Sequence, residues 1–415
     1  LKTLVLIYIT LFPFLLLSQE VAEVPLVVCN KNEYNSFTAV NLNKLQNLRL
    51  ADAAKTSNFS VNYANFPNEA RVAFQAAVDI WERVLISRVP IVINASWESI
   101  SSTTLATSGA NKVYRNFGGN SVKDVWYPPA LAEAILGRNL NDKNHDITIN
   151  INRNISWSFK TDGTREAFKY DLLTVVLHEI AHGIGFTTSF KLGDSNTTQG
   201  EWGISGFPII YDIFVINKNN LKLTDNAKIG NPSTDLKTEL TSGNLFFSID
   251  PTPTIKDIPK LYSPSNFRNG GSVSHLDELV FPKGTVNSLM SPQISAAEIN
   301  HFPGPAILAI LNKMGWPVNF FEGSVITAMA PPDITENFIA FPNVANEHFK
   351  ILIPEKYNGY KAQLILTDLL GNVLQNHHFL IDGFKEVDIH TLPTGTYFSR
   401  LLINDKVENF KIIKN

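Results

Sequence analysis

His178-Glu179-Ile180-Ala181-His182 sets two imidazoles four residues apart with a carboxylate beside the first. On an α-helix that spacing is about 400° of rotation, so both rings share a face and can grip one ion. Glu179 stands off that line, where its carboxylate can reach a water on the ion but is poorly placed to be a ligand. Zinc lowers the pKa of such a water to about 7, within reach of a carboxylate base. The expected chemistry is hydrolysis of a polarised carbonyl, with one catalytic Zn2+ and Glu179 as general base. The pattern also arises by chance in unrelated helices, so its surroundings matter. Asp171 to Leu177, with Ile180 and Ile184, has the apolar density of a buried helix. Two histidines and a glutamate would be costly to bury there without partners.

A tetrahedral catalytic zinc takes three protein ligands and a water, so a third ligand must come from elsewhere. Of nine histidines, His348, His377, His378 and His390 fall in what reads as a separate C-terminal module. His145 opens a strand, and His301 precedes Phe302-Pro303-Gly304-Pro305 as a loop or cap residue. His275 stands in Gly270-Gly271-Ser272-Val273-Ser274-His275-Leu276-Asp277-Glu278, shortly before Asn287-Ser288-Leu289-Met290-Ser291-Pro292. Asp277 and Glu278 are carboxylate alternatives, with surface charge as their plainer reading. Glu298, in Ser295 to Asn300, is the formal candidate for a glutamate ligand on a downstream helix.

These strings resemble the metzincin zinc peptidases. Gly185 matches the glycine of their His-Glu-x-x-His-x-x-Gly-x-x-His motif, whereas Thr188 stands where the last histidine belongs. Asn287 to Pro292 resembles their Met-turn, and Met290 is one of only three methionines. The helix, a long insertion, Ser274-His275 and Leu289-Met290 together resemble the leishmanolysin-like branch, in which an inserted subdomain displaces the third histidine. Here 93 residues separate His182 from His275. The resemblance implies a zincin fold of α/β (α+β) type, metal ligands His178, His182 and His275, supporting roles for Gly185 and Met290, and protein or peptide substrates. A glutamate ligand at Glu298 would leave Gly185, His275 and Met290 as coincidences.

Several elements must position these residues. Phe59 to Tyr63 alternates as a strand, and a helix from about Pro67 carries Val72, Ala76, Ile80 and Val84 on one apolar face with Ala73, Ala77 and Trp81. Pro90 to Ile93 resumes as strand, Pro129 to Leu136 forms a short helix, and Ile147 to Ile151 a strand before the motif helix from about Asp171. The strand at Asp146 to Asn152 is expected to edge the cleft and to pair with an extended substrate. Residues 187–270, rich in Asn, Asp, Thr, Gly and Ser, read as an inserted subdomain with strand-like Ile209-Ile210-Tyr211 and Phe214-Val215-Ile216. A helix from Ala306 ends near Met314-Gly315-Trp316, where Gly315 and Pro317 are stop signals.

With 415 residues, 44% of them hydrophobic, the chain can bury one large core and a second small one. A net charge of -3 without a basic stripe argues against nucleic acid as a partner. Lys2, the apolar run Leu4 to Leu17 and Ser18-Gln19-Glu20 form a signal-peptide pattern too short for a membrane span, and no other segment approaches the length. Cys29 is the only cysteine, so no intramolecular disulfide forms. It reads as inert, as a faint lipidation box, or as a pro-segment thiolate able to cap the zinc. A structural calcium site cannot be read from the sequence.

Beyond Pro331-Pro332-Asp333 the chain turns to short alternating strands at Phe349 to Ile353, Ala362 to Leu366 and Tyr397 to Leu402. Phe341-Pro342-Asn343, Thr367 to Gly371, Leu392 to Tyr397 and Lys411 to Lys414 together resemble a type IX secretion C-terminal sorting domain. That resemblance implies a small all-β sandwich, export through the periplasm of an outer-membrane bacterium to the surface or medium, and the secretion machinery as partner. A carbohydrate-binding or adhesive sandwich is the alternative. The expected organisation is a signal peptide over 1–19, an N-terminal or pro-segment over 20–57, a peptidase domain over 58–322 with its insertion at about 187–270, a linker over 323–337 and the sandwich over 338–415. The expected function is that of a secreted zinc metalloendopeptidase. The rival is an inactive surface adhesin or binding module on a zincin fold, against which the intact Glu179 argues.

Overall fold

Alternating apolar positions and one long amphipathic helix build a mixed α+β domain around a six-stranded sheet. The computed structural model describes residues 20–35, 53–140, 144–193, 198–249, 258–319, 338–341, 344–345, 347–404 and 406–414. The expected signal peptide and linker lie outside these residues.

In chain order the first domain contains β1 (Val27–Asn35), β2 (Phe59–Ala64), α1 (Asn68–Val84), β3 (Ile91–Glu98), β4 (Thr104–Ala110), α2 (Pro129–Leu136), β5 (Ile147–Asn152), α3 (Leu172–Gly183), α4 (Thr234–Leu240), β6 (Gln293–Ala296) and α5 (Pro305–Met314). The sheet order is β6-β1-β4-β5-β3-β2. Only β4 runs against the others, since β1 and β5 pair with it antiparallel and the remaining pairs are parallel. The strand at β5 is therefore interior, with β3 on one side and β4 on the other. Its ladder groups are already satisfied, so the expectation that it edges a cleft and pairs with substrate is corrected. The strand beyond it, β4, has the sequence Thr-Leu-Ala-Thr-Ser-Gly-Ala, mostly small residues.

Helix α3 packs across β4 and β5 and against α1. Asp171 caps its N-terminus by accepting from the Thr174 amide at 2.8 Å, an arrangement that satisfies one of the free first-turn donors. His301 donates to the same carboxylate at 2.8 Å, which makes it the cap-associated residue its position suggested. Two indoles then fasten the helix at depth: Trp81 donates to the Leu177 carbonyl at 3.1 Å and Trp316 to the Ile184 carbonyl at 2.9 Å. Both indoles are fully buried.

The region expected as an insertion holds a small sheet of Val215–Asn217, Leu245–Phe247 and Lys260–Leu261, together with α4. Ile209 to Tyr211 is not a strand, and Asp212–Phe214 forms a 3₁₀ turn instead, with the strand beginning only at Val215. Near the C-terminus a three-stranded sheet (339–341, 348–352, 384–388) and a five-stranded sheet (344–345, 406–414, 395–403, 361–367, 373–380) enclose their own core, which includes Phe349, Ile351, Leu364, Leu366, Val387 and Leu401. Among the described residues no helix is long and apolar enough to cross a membrane.

Close approach of α3 to the sheet depends on Gly183, where a Cβ would sit 2.3 Å from Ile147 Cγ2. A branched methyl on an interior strand cannot swing clear. Gly183→Ala is expected to cost about 1–3 kcal/mol through overpacking, read by equilibrium denaturation. An unchanged midpoint would contradict this packing.

Candidate metal centre

Helix geometry brings His178 and His182 to one face of α3, and the chain's return after the long insertion brings His275 to them. The Nε2 atoms of His182 and His178 are 3.1 Å apart, and those of His275 and His178 are 3.3 Å apart. All three rings are buried, His275 being only 1% exposed.

Each ring is oriented by a backbone carbonyl on its other nitrogen. His178 Nδ1 meets Leu289 O at 2.8 Å, His182 Nδ1 meets Phe186 O at 2.6 Å, and His275 Nδ1 meets Gly271 O at 2.7 Å. A carbonyl oxygen can only accept, so Nδ1 carries the proton in every ring. The three Nε2 atoms are then bare lone pairs facing one another, with no proton to share between them. That arrangement fits a cation. Nitrogens about 2.0–2.1 Å from a tetrahedral zinc lie about 3.3–3.4 Å apart, close to the spacing found here. Among the described residues, two groupings bring at least three His, Cys, Asp or Glu donors within ligand reach of one another: His178, His182 and His275, and Cys29, His178 and Glu179.

The turn after α3 explains Gly185. Its φ of +118° lies in a region that side chains rarely tolerate, and this lets the chain fold back so that the Phe186 carbonyl faces the His182 ring. Thr188, at the position where the motif departs, hydrogen-bonds instead to Asp212 at 2.6 Å. Asp212 also accepts from the Ser189 amide and hydroxyl, and its burial pushes its pKa up to about 6 against those bonds. On the other side, Leu289 supplies the carbonyl for His178 while the Met290 carbonyl accepts the Leu276 amide at 2.8 Å, tying the Leu289-Met290 turn to the His275 segment. Met290 is fully buried. Val273, two residues before His275, sits at φ +68°, a costly conformation for a β-branched side chain. The Tyr211 hydroxyl donates to its carbonyl at 2.9 Å, so the insertion helps hold this segment.

The alternative ligands are engaged elsewhere. Asp277 pairs with Lys260 at 3.2 Å, and Glu278 with Lys283 at 3.7 Å. Glu298 lies past β6 rather than on a helix, its carboxylate held by Lys283 and the Ser295 amide. His145 bonds Asn94 and Thr148.

Electrostatics follow from burial. Desolvation lowers His178 to about 4 and His275 to about 3, and it pushes His182 well below its ordinary value with help from its two neighbours. All three imidazoles are thus neutral near pH 7, as metal ligation requires. Glu179 is completely buried with neither carboxylate oxygen in hydrogen-bond geometry to any group. Burial drives its pKa up to about 8, eased slightly by the nearby Cys29 thiol. Cys29 is the residue whose place the sequence left open: β1 carries it into the sheet beside Glu179 and His178.

Residues 28–200 match the family described as SPBPB7E8-like. That stretch contains Cys29 and all of α3 but ends 75 residues before His275. Residues 339–415 match the secretion system C-terminal sorting domain. The chain carries a sorting domain. It is therefore exported by type IX secretion to the cell surface or the medium, and the domain implies contact with that machinery. No curated protein matches the chain.

Removing a ring that supplies one of the three lone pairs leaves the other two short of a site. His275→Ala is expected to weaken zinc binding at least about a hundredfold, while Asp277→Asn leaves it within about threefold. Competition against a chromophoric chelator reads both, and the reverse ranking would move the third ligand to Asp277.

Proposed function

We propose that this exported chain is a zinc-dependent endopeptidase, a metzincin-like hydrolase in which His178, His182 and His275 hold one zinc ion and Glu179 is the general base. The observation that carries the reading is the convergence of three proton-free Nε2 atoms beside an unpartnered carboxylate. A zinc ion held there supplies Lewis acidity to a scissile carbonyl and acidifies the attacking water toward neutrality.

The chain's own groups do the rest. Carbonyls of Leu289, Phe186 and Gly271 fix the three rings and raise their basicity through the Nδ1 protons. Glu179 takes the proton of the attacking water on a carboxylate oxygen and later passes it to the leaving amine nitrogen. Its lack of other partners leaves both oxygens free for that traffic. Met290 and Gly185 act through the backbone turns that carry the ring-orienting carbonyls. Peptide rather than ester hydrolysis is favoured by the metzincin resemblance.

Zinc-loaded, processed protein is expected to cleave casein or gelatin with one zinc per chain. Glu179→Gln should retain the metal and lose about 10²–10⁴-fold in turnover, measured by metal analysis and peptide hydrolysis on the same sample. Full activity in the variant would remove Glu179 from the reaction, and casein left intact by the loaded wild-type chain would favour a binding module.

A further inference from the structure

Arg115 is only 6% exposed, yet its charge is answered there only in part. The guanidinium lies between two aromatic rings, 3.3 Å from the Phe207 centroid and 4.8 Å from that of Trp126. The Trp126 indole is itself fixed by donating to the Ile204 carbonyl at 2.8 Å. Of the guanidinium nitrogens, Nη2 donates to Glu20, whereas Nε and Nη1 are buried without a hydrogen-bond partner. Desolvated donors without an acceptor are costly, and two of them on one rigid fork ask for a further anion oxygen.

Glu20 shows which chemistry the fork accepts. Its three-residue strand, Glu20–Ala22, pairs antiparallel with Val113–Arg115 and sets Glu20 opposite Arg115. Asn116 Nδ2 assists, donating to Glu20 at 3.1 Å and to Asp124 at 3.2 Å. The hydrogen bonds from Arg115 and Asn116 hold the Glu20 carboxyl below its usual range, so the ionised form is the one favoured here. Exposure separates the partners: the Arg115 side chain is 8% exposed and that of Glu20 is 43%. The receptor is built into the domain, while its occupant sits at the surface.

This receptor adjoins the turn that serves the metal centre. Val113, two residues before Arg115 and so on the same side of that strand, lines a cavity with Gly185, Thr187, Ile209 and Ile210. Gly185 and Thr187 flank Phe186, whose carbonyl orients His182. Ile209 and Ile210 follow closely on Phe207, the ring stacked against Arg115. Cavity and receptor therefore share two walls, the Val113–Arg115 strand and the segment from Phe207 to Ile210.

We propose that Arg115 and Asn116, framed by Trp126 and Phe207, form a substrate subsite for a carboxylate, the side chain of an aspartate or glutamate in the polypeptide to be cut. Glu20 stands in for that ligand and yields to it. An arriving carboxylate takes two parallel N–H bonds from the fork, satisfying a donor that Glu20 leaves bare. The purpose of binding rests on the zinc-hydrolase reading above, whereas recognition of the carboxylate does not.

Calorimetry on the zinc-loaded full chain carrying Glu179→Gln, which does not turn over on that reading, tests the subsite. The probes are three alanine–serine heptapeptides: one blocked at both ends with a central glutamate, one blocked with a central glutamine, and the glutamine peptide with a free C-terminal carboxylate. The glutamate peptide should bind at least about tenfold tighter than the blocked glutamine peptide. Adding Glu20→Gln should widen that ratio at least about threefold, because the resident carboxylate no longer competes. Adding Arg115→Lys instead should bring it to about one, since an ammonium cannot fork onto a carboxylate. If circular dichroism shows the lysine variant misfolded, Asn116→Asp, which sets a like charge beside the ligand, should cut the ratio at least about threefold. Equal affinity for the glutamate and glutamine peptides, a ratio unmoved by these substitutions, or tight binding confined to the free C-terminus would overturn the subsite whatever the fate of the hydrolase. The expected ratio in a chain whose zinc-loaded wild type cleaves neither casein nor gelatin would overturn the hydrolase reading and leave the carboxylate site standing.

Discussion

Three imidazole lone pairs converge, His178 Nε2 lying 3.1 Å from that of His182 and 3.3 Å from that of His275, and the first domain has to hold them there. Bare acceptors at that distance repel, and burial denies them the water that would otherwise supply protons. The rings stay in place because each Nδ1–H is spent on a carbonyl from a different part of the chain: Phe186 just after α3, Leu289 in the turn before β6, and Gly271 in the return from the insertion. Segments more than ninety residues apart thus meet at one point. Loss of any one carbonyl would free a ring to turn its Nε2 away.

The surrounding architecture follows from that requirement. Helix α3 is pinned by two indole donors, Trp81 and Trp316, and by the Asp171 cap, so its two histidines cannot drift along the sheet. Gly183 lets the helix lie close against Ile147, and Gly185 lets the chain reverse immediately afterwards. On the far side the strained Val273 backbone and the Tyr211 hydroxyl set the approach of His275. Conformational energy is spent near the centre and recovered in the apolar core, a distribution common where geometry matters to chemistry.

Local order was the legible part of this protein. The His178–His182 spacing and the Asp171 boundary express a helical period that a short window contains. The apolar face expected for α1 is corrected: Val72 is 63% exposed, and Phe74 and Val78 are buried with Ala73, Ala77, Trp81 and Val84. His275 is within reach of the sequence because Met290 follows it in a recognisable order, whereas its approach to His178 and the pairing of Asp277 with Lys260 are tertiary contacts. The strand β4 leaves no strand signal in the sequence because it is built from small residues rather than an alternating apolar run. Without β4, the alternating apolar runs place β5 at the edge of the sheet. The place of Cys29 was equally hidden, since strand pairing between residues about 80 and 260 apart leaves no periodic trace in either segment. In the insertion, the strand expected at Ile209 to Tyr211 is absent and the chain leads into the 3₁₀ turn at Asp212–Phe214, whose Asp212 carboxylate binds Thr188 and Ser189, while the strand expected from Phe214 begins at Val215.

The sorting domain commits the chain to export, so the candidate metal centre would serve at the cell surface or in the medium. All of this depends on the three rings binding one ion together. X-ray absorption at the zinc edge of the loaded full-length chain addresses that most directly. The account predicts three imidazole nitrogens at about 2.0–2.1 Å, with the fourth position taken by an oxygen of water. A shell of two imidazoles completed by carboxylate oxygens would contradict it.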